Sequence, residues 1–158
     1  MTTKVHLAVN AAGLPLAVIL TPGQAGDNPQ LMPLLDAVNE VYDLDVDGQH
    51  VRVARVGRVQ RILADKAYTH PSTRQALRKR KVRATIPERS DQIARRKAKG
   101  SAGGRPPAFD PDLYKLRNVV ERCFNRLKQF RALATRYAKR AAYHRSEILL
   151  ACIVLHLR

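Results

Sequence analysis

The chain has 158 residues, the size of one ordinary domain, and 45% of them are hydrophobic, which is enough to bury a core. Its longest apolar run, residues 148–157, has about half of the length that a membrane span needs. The 29 lysines and arginines against 13 acids give a net charge of +16, which favours a polyanionic partner, nucleic acid above all.

The first 40 residues predict a hairpin and a helix. Residues 3–9 alternate apolar and polar side chains, and residues 14–20 form a short apolar run after the turn residues 10–13, which is typical of a β-hairpin. A loop with Pro22, Gly23 and Gly26 follows. Asp27 or Asn28 can cap the next helix, whose apolar residues are Leu31, Leu34, Leu35 and Val38.

The middle of the chain alternates strands with basic segments. Residues 43–58 show no sustained period and are interpreted as a connection, residues 59–64 as a buried strand, 72–81 as a basic helix and 82–86 as a strand. Residues 88–109 have few apolar side chains and many glycines, prolines and bases. They are predicted to form a mobile basic insertion.

Two helices are predicted near the C-terminus. The first runs over residues 111–130 with Asp110 as its cap, and the second, over 144–157, is apolar on most sides, so it is expected to be buried. Residues 136–140 form a basic link between them. The order of strands and helices predicts an α/β domain with a mixed sheet.

Charge and cysteine content indicate where the protein acts. Residues 1–50 hold one lysine and six acids, a net charge of −5, whereas residues 51–158 hold 28 bases and seven acids, a net charge of +21. Cys123 and Cys152 lie in apolar helical patterns and are interpreted as reduced core thiols. We expect a cytoplasmic, nucleoid-associated protein with no membrane partner.

One stripe of the helix over residues 111–130 carries the strongest chemical pattern. Tyr114, Arg117, Glu121 and Lys128 fall within about 60° of its circumference at about 100° per residue. The apolar face lies about 130° away and comprises Leu116, Val120, Cys123, Leu127 and Phe130. A carboxylate among cations and a phenol suits a metal ion beside phosphate. The alternative is a plain i−4 salt bridge between Glu121 and Arg117.

Asp65 is the second candidate acid. It directly follows the predicted strand over residues 59–64, and strand ends at a sheet edge are common ligand sites. The alternatives are a helix cap or a surface carboxylate paired with Lys66. If Asp65 and Glu121 share a divalent ion, Mg²⁺ fits their hard oxygen ligands.

The segment from Tyr114 to Lys128 matches the Tyr-x₂-Arg-x₃-Glu-x₆-Lys signature of bacterial insertion-sequence transposases with an Asp-Asp-Glu triad. Further similar segments follow in the same order, at residues 2–7, 13–16, 21–24 with Asp27, 63–66 with Tyr68, and 134–137. The chain most resembles the insertion sequence 5 branch. The resemblance implies an RNase H-like mixed sheet flanked by helices. It also implies Mg²⁺-dependent strand cleavage at transposon ends and strand transfer to target DNA.

The resemblance also implies roles for individual residues. Asp65 and Glu121 would be catalytic acids and metal ligands for Mg²⁺, or for Mn²⁺ in its place. The DNA-binding residues would be Tyr114, Arg117, Lys128, Lys66 and Arg136. The partners would be transposon ends and target DNA, together with a second copy of the chain or an upstream-frame product.

The pattern departs from the family in one major respect. The first triad Asp lies on a strand just before the hairpin that begins here at Thr3, and that strand is the central one of the sheet. We therefore expect residues 1–158 to form a truncated RNase H-like catalytic domain that lacks its first, central strand and is inactive alone. Asp27 is a weak substitute, because it matches another family motif. Ala67, where the family tends to have glycine, and Ala138, where it often has an acid, are smaller departures.

A rival reading is a non-catalytic basic DNA-binding protein or transposase remnant that uses the same basic surface. A basic ribosome-associated protein would explain the charge but not the spacing of the four residues.

Overall fold

The computed structural model describes residues 2–39, 43–46, 49–52 and 59–158. These residues form six strands: β1 (Thr3–Val9), β2 (Pro15–Pro22), β3 (Asp43–Val46), β4 (Gln49–Arg52), β5 (Arg61–Leu63) and β6 (Arg83–Thr85). The α-helices are α1 (Leu31–Asn39), α2 (Pro71–Lys79), α3 (Ser90–Ala98), α4 (Pro111–Lys115), α5 (Asn118–Lys128), α6 (Arg131–Thr135) and α7 (Ala141–His156). The prediction of an α/β protein is thus confirmed.

Strands β1 and β2 form the predicted antiparallel hairpin. Thr3 pairs with Pro22 and Leu7 with Val18, and the alternation turns Leu7 and Val18 into the core. Gly13 closes the turn at φ +78°, which strains other residues. The carboxamide oxygen of Asn10 accepts the Leu14 N–H at 2.9 Å, as the turn chemistry of asparagine favours.

Helix α1 forms where its apolar spacing predicts. The three leucines and one valine of that spacing are buried, namely Leu31, Leu34, Leu35 and Val38. The predicted side-chain cap is wrong, because a 3₁₀ turn over Asn28–Gln30 leads into the helix and Asp27 makes no capping hydrogen bond there. Asn28 instead accepts the Thr73 hydroxyl at 2.9 Å. Its side chain therefore ties the start of α1 to α2.

The interpretation of residues 43–58 as a connection is wrong in part. Strands β3 and β4 pair antiparallel, Asp43 with Arg52 and Val46 with Gln49. Their four-residue length is too short to show a clear period in the sequence. The rest of the predicted connection, residues 47–48 and 53–58, lies outside the described residues.

Strands β5 and β6 pair in parallel, with Ile62 beside Ala84, and α2 connects them. Leu77 of α2 and Ile86 after β6 are each 1% exposed. They pack in one cluster with Leu31, Leu35 and Ala64. This cluster fixes the end of β5, the strand that leads to Asp65.

The described strands form three two-stranded sheets, β1–β2, β3–β4 and β5–β6. The prediction of one mixed sheet is therefore not met within the described parts of the chain. In the part of the chain that the structure describes, β1 pairs only with β2 and β5 only with β6, and both strands border one cavity.

Residues 88–109, predicted to be a mobile insertion, contain helix α3. The segment is held by polar contacts rather than by a core. Arg96 pairs with Glu88 at 2.9 Å, and Gln92 accepts the Thr69 hydroxyl at 3.0 Å. Such contacts leave no apolar periodicity for a sequence pattern to detect.

The single helix predicted over residues 111–130 is divided. Asp110 does cap α4, accepting the N–H groups of Asp112 and Leu113, but the N–H groups of Leu116 and Arg117 bond three residues back instead of four. These 3₁₀-type bonds tighten the backbone between α4 and α5. Leu116, predicted on the apolar face, is 57% exposed.

Helix α7 is buried along one face, so the expectation of a buried helix is met only in part. Ile148, Ala151, Cys152 and Leu155 face the core, whereas Leu150 is 63% exposed. The core that they join includes Leu7, Val18, Cys123 and Leu127. Both cysteines are free and buried, as predicted. No helix among the described residues is long and apolar enough to cross a membrane.

Replacing Lys81 with glycine is expected to raise the free energy of unfolding by about 1 kcal/mol. Lys81 has φ +57°, and it follows α2 in a Schellman turn whose Val82 N–H donates to the Leu77 carbonyl at 2.9 Å. Glycine adopts this conformation without the Cβ penalty. Urea unfolding measures the change. Lys79→Gly, inside the helix, is the control and should destabilise; a loss of stability in Lys81→Gly would contradict the prediction.

Candidate functional site

A cavity of about 670 Å³ lies between β1, α1, β5 and the α4–α5 region. Most of its lining is apolar, with Val5, Leu7, Leu63, Val120 and Phe124 among the contributors. Its charged lining residues are Lys4, Asp27, Arg61, Asp65 and Arg117. The cavity therefore combines apolar walls with two carboxylates and three cations.

Asp65 lies where the sequence predicts it, one residue beyond Ala64 at the end of β5. Its Oδ1 accepts the Ala67 N–H at 2.8 Å and so caps a 3₁₀ turn over Lys66–Tyr68. The cap interpretation of this acid is thus confirmed. The cap uses only Oδ1 of Asp65. The second carboxylate oxygen can therefore still bind a cation.

Asp27 and Tyr68 share the cavity lining with Asp65. Asp27 pairs with Lys4 at 2.9 Å. Burial, and then the negative charges of Asp27 and Asp65, raise the pKa of Tyr68 to about 12. The phenol therefore stays protonated at neutral pH and can donate a hydrogen bond. The sequence analysis makes Asp27 a weak substitute because it matches another family motif, whereas the fold places residues 27, 65 and 68 on the lining of one cavity.

Glu121 and Arg117 form the salt bridge that the i−4 spacing predicts, with Nη2 and Oε1 2.5 Å apart. The Glu121 side chain is 58% exposed, and Glu121 is not among the cavity-lining residues, but its partner Arg117 is. The Arg117 guanidinium also lies 5.8 Å from the centre of the Tyr114 ring, which is within cation–π range. Tyr114, Arg117 and Glu121 are thus in contact despite the break between α4 and α5.

Three of the predicted DNA-binding residues do not line the cavity. They are Lys66, Lys128 and Arg136. Lys66 and Lys128 are exposed. Arg136 has a left-handed backbone at φ +49°, and its guanidinium donates to the Thr3 hydroxyl. Arg136 therefore connects the segment after α6 to the start of β1.

The acidic oxygens suit a hard divalent cation such as Mg²⁺, but they do not form a complete cage. Within residues 2–39, 43–46, 49–52 and 59–158, no group of three His, Cys, Asp or Glu side chains is placed to hold a metal ion. Asp65 and Glu121 are therefore at most a partial ligand set in the described chain, and Arg117 already neutralises the Glu121 carboxylate.

His6 is expected to make stability depend on pH below neutrality. Burial lowers its pKa from the usual 6.5, the negative charge of Asp27 opposes this shift, and Lys4 adds to it. Its Nε2 lies 2.9 Å from the Thr21 hydroxyl. Because the unfolded chain takes up a proton near pH 6.5 and the folded chain only at lower pH, stability should fall as pH decreases through 6.5.

His6→Gln should remove this part of the pH dependence while the amide keeps a partner in Thr21. The measurement is the urea midpoint of both proteins between about pH 5 and pH 8. The unsubstituted chain, measured over the same range, is the reference. An equally steep loss of stability in His6→Gln would contradict the assignment.

The net charge of +21 on residues 51–158 and the arginine beside Glu121 are features that proteins acting on nucleic acids share. Residues 1–156 match the family described as Transposase DDE domain, and the chain belongs to that family. No solved structure was found to match.

Two relatives are each 33% identical to the chain. One, from Burkholderia cepacia, is named as a transposase for insertion sequence element IS402; its match covers 153 residues, 97% of this chain and 62% of that protein. The other, from Brucella ovis, is named as a transposase for insertion sequence element IS6501; its match covers 158 residues, all of both chains. The chain thus spans under two thirds of the longer relative.

Proposed function

We propose that this chain is the catalytic portion of an insertion-sequence transposase of the insertion sequence 5 branch, with an RNase H-like fold. Its reaction would be hydrolysis at transposon ends, followed by attack of the released 3′-hydroxyl on a phosphodiester of target DNA. The observation that carries the proposal is the convergence of Asp65 and Arg117 on one cavity, with Glu121 bonded to Arg117. A carboxylate, a guanidinium and a second carboxylate are the groups that phosphoryl transfer requires.

Asp65 and Glu121 are the proposed ligands of Mg²⁺, or of Mn²⁺ in its place. When bound, such an ion activates the attacking water and stabilises the leaving oxygen. The Ala67 N–H orients one oxygen of Asp65 at 2.8 Å, so the carboxylate is held by backbone as well as by its place at the end of β5. Glu121 is held by Arg117, which keeps the carboxylate oriented on the first turn of α5.

Arg117 is the proposed contact to a phosphate of the transposon end. Its guanidinium has five N–H donors, so it can bond Glu121 and still present donors to phosphate oxygens. The Tyr114 ring restricts its position from one side. Lys66, Lys128 and Arg136 would add backbone contacts around the cavity, which position DNA without reading its sequence.

Asp65 and Glu121 are two of the three acids that the resemblance implies, and we propose that residues 1–158 are inactive alone. The third acid would come with the strand that the resemblance places before β1. A product of an upstream frame, or a fusion with it, would supply that strand, and a second copy is the other candidate partner.

Cleavage of a labelled duplex that carries the terminal repeat of the encoding element tests this proposal. The isolated chain should not nick it with Mg²⁺ or Mn²⁺, whereas the chain fused to the polypeptide encoded upstream should. In the fusion, Asp65→Asn or Glu121→Gln should abolish nicking. Asp112→Asn is the matched control, because this carboxylate has an 88% exposed side chain and lies on neighbouring α4; it should keep full activity.

Two results would refute parts of the proposal. Nicking by the isolated chain that Asp65→Asn abolishes would show that no third acid is missing. Nicking by the fusion that survives both changes would show that Asp65 and Glu121 are not the ligands. Mn²⁺ binding, followed by paramagnetic relaxation of solvent water, gives a readout that does not depend on turnover.

A non-catalytic DNA-binding role is the second candidate. The salt bridge that occupies Glu121 favours it, since a carboxylate neutralised by Arg117 attracts a cation less strongly. In that case DNA affinity survives Glu121→Ala and is the same with and without divalent ions. A metal site instead gives tighter binding to cleaved transposon ends when Mg²⁺ is present.

A further inference from the structure

We propose that Gln92, on the basic helix α3, is a positioning residue for Asp65. It acts through Thr69, to which its side chain bonds, and so holds the turn that carries the Asp65 carboxylate. The purpose of this positioning rests on the proposed role of Asp65 as a metal ligand. Order in the segment over residues 88–109 thereby becomes a condition for the placement of that acid.

The carboxyl ends of β5 and β6 lie side by side, because these strands pair in parallel with Leu63 beside Thr85. The chain that leaves β5 forms Asp65 and the 3₁₀ turn over Lys66–Tyr68. The chain that leaves β6 enters α3 at Ser90. Two successive segments after parallel strands thus meet at one sheet edge, the edge at which ligand sites are common.

The turn after β5 fixes one oxygen of Asp65. The Ala67 N–H donates to Oδ1 of Asp65 at 2.8 Å, and the Tyr68 N–H donates to the Asp65 carbonyl at 3.2 Å. Lys66 and Ala67 are exposed, so packing contributes little to the middle of the turn. The position of the carboxylate therefore depends on how firmly the two ends of the turn are held.

Thr69 ends this turn, is 4% exposed, and is held by side chains from two helices. Arg74 of α2 donates from Nη2 to the Thr69 hydroxyl oxygen at 3.0 Å and to the Ile86 carbonyl at 2.8 Å. The Thr69 hydroxyl donates to Oε1 of Gln92 at 3.0 Å. Nε2 of Gln92 donates to the Thr69 carbonyl at 3.5 Å. Gln92 thus binds both the side chain and the backbone of Thr69.

Arg74 sets the direction of these bonds. A guanidinium can only donate, so the Thr69 oxygen accepts from Arg74 and its own proton is directed to Gln92. The Gln92 carboxamide must then turn its oxygen to the hydroxyl and its nitrogen to the Thr69 carbonyl. Because the Thr69 hydroxyl is buried, removal of one member leaves a polar group without its partner.

Gln92 also has a local role at the start of α3, and the two roles can be separated. Its Oε1 accepts the Arg89 N–H at 3.4 Å, the contact that the third residue of a helix makes in a capping box. Thr69→Val removes the hydroxyl at nearly constant volume and leaves this cap in place. Thr69→Ser keeps the hydroxyl. These two variants therefore test the contact to the turn apart from the cap of α3.

Amide hydrogen exchange of the 158-residue chain measures the turn without any metal. Gln92→Met and Thr69→Val should each speed exchange at Ala67 and Tyr68 by about tenfold. Thr69→Ser should leave both rates nearly unchanged. The amide of Leu77, in the middle of α2, should keep its rate in every variant, because the change is local to the turn.

Gln75→Met is the matched control for Gln92→Met. Gln75 is an exposed glutamine on α2, so the same substitution there should alter neither the turn nor the Leu77 amide. The double variant Thr69→Val with Gln92→Met should match the faster of the two single variants, because both changes remove the same contact.

Mn²⁺ binding, followed by relaxation of solvent water, connects the turn to the proposed metal site. Gln92→Met and Thr69→Val should each weaken Mn²⁺ binding by about tenfold, the lower end of the range for groups that orient a metal ligand. Thr69→Ser should retain the affinity of the unsubstituted chain. A merely structural role would not give this pattern, since it would change the Leu77 amide as well.

Three results would overturn the role of Gln92. The first is unchanged exchange at Ala67 and Tyr68 in both Gln92→Met and Thr69→Val. The second is equal acceleration at Leu77, which would mean that the network stabilises α2 as a whole. The third is additive effects in the double variant.

Failure of the proposed metal role looks different. Faster exchange at Ala67 and Tyr68, with no Mn²⁺ binding by the unsubstituted chain, would support the positioning of Asp65 by Gln92 and refute Asp65 as a ligand. The exchange rates therefore decide the role of Gln92, and the metal titration decides the role of Asp65.

Discussion

Leu77→Ala is expected to lower the free energy of unfolding by about 2–5 kcal/mol. Leu77 is 1% exposed and packs between α1 and the β5–β6 pair, against Leu31, Leu35, Ala64 and Ile86. Truncation removes buried methyl groups and leaves a cavity that rigid neighbours on three elements cannot fill. The urea midpoint should fall with an unchanged m value.

Leu150→Ala is the matched control for this experiment. Leu150 is the same residue type, also in a helix, but 63% exposed. Its truncation should change stability by no more than about 0.5 kcal/mol. Equal losses in the two variants would mean that the Leu77 cluster is not a core. Because Ala64 belongs to that cluster and precedes Asp65, Leu77→Ala should also loosen the capped turn at residues 65–68.

The elements predicted correctly are those whose pattern is complete within a short stretch. The β1–β2 hairpin follows from alternation and from the turn chemistry of Asn10 and Gly13, both of which are local. The Glu121–Arg117 salt bridge follows from i−4 spacing alone. Asp65 follows the apolar residues 62–64 as predicted, although β5 covers only Arg61–Leu63 of the strand predicted over residues 59–64.

Other features depend on tertiary contacts that no local pattern contains. The break between α4 and α5 has no proline or glycine to mark it, and the apolar spacing continues through Leu116. The approach of Asp27 to Tyr68 and Asp65 joins residues separated by about 40 positions, which periodicity cannot relate. Helix α3 forms through polar contacts such as the Arg96–Glu88 pair, so its composition resembles that of a linker.

The division into separate sheets has a physical explanation in the unpaired edges. A sequence pattern shows which segments are extended but not which edges meet, since pairing depends on what lies between them. Here β1 and β5 each carry outward backbone groups and border one cavity. The order of strands along the chain therefore predicts the elements but not which of their edges meet.

Raising salt from 50 to 200 mM is expected to weaken binding to a DNA duplex by about 10³–10⁵-fold, the loss for about six to ten phosphate contacts. The reason is the net charge of +21 on residues 51–158, since each neutralised phosphate releases condensed counterions. Fluorescence anisotropy of a labelled duplex at several salt concentrations gives the slope. A slope near zero would contradict a phosphate-binding surface.

Lys128→Gln is expected to reduce the slope of log affinity against log salt concentration by about one. Lys128 is exposed and lies on α5 with Glu121, and its replacement would remove one phosphate contact. Lys115→Gln is the matched control: its ammonium already bonds Asp112 at 2.8 Å, so this charge is compensated within the chain and its loss should leave the slope nearly unchanged. If both variants reduced the slope equally, the binding would follow net charge and not position. A difference between them would place DNA on the side of α5 that carries Glu121, within reach of the carboxylate that the proposed chemistry requires.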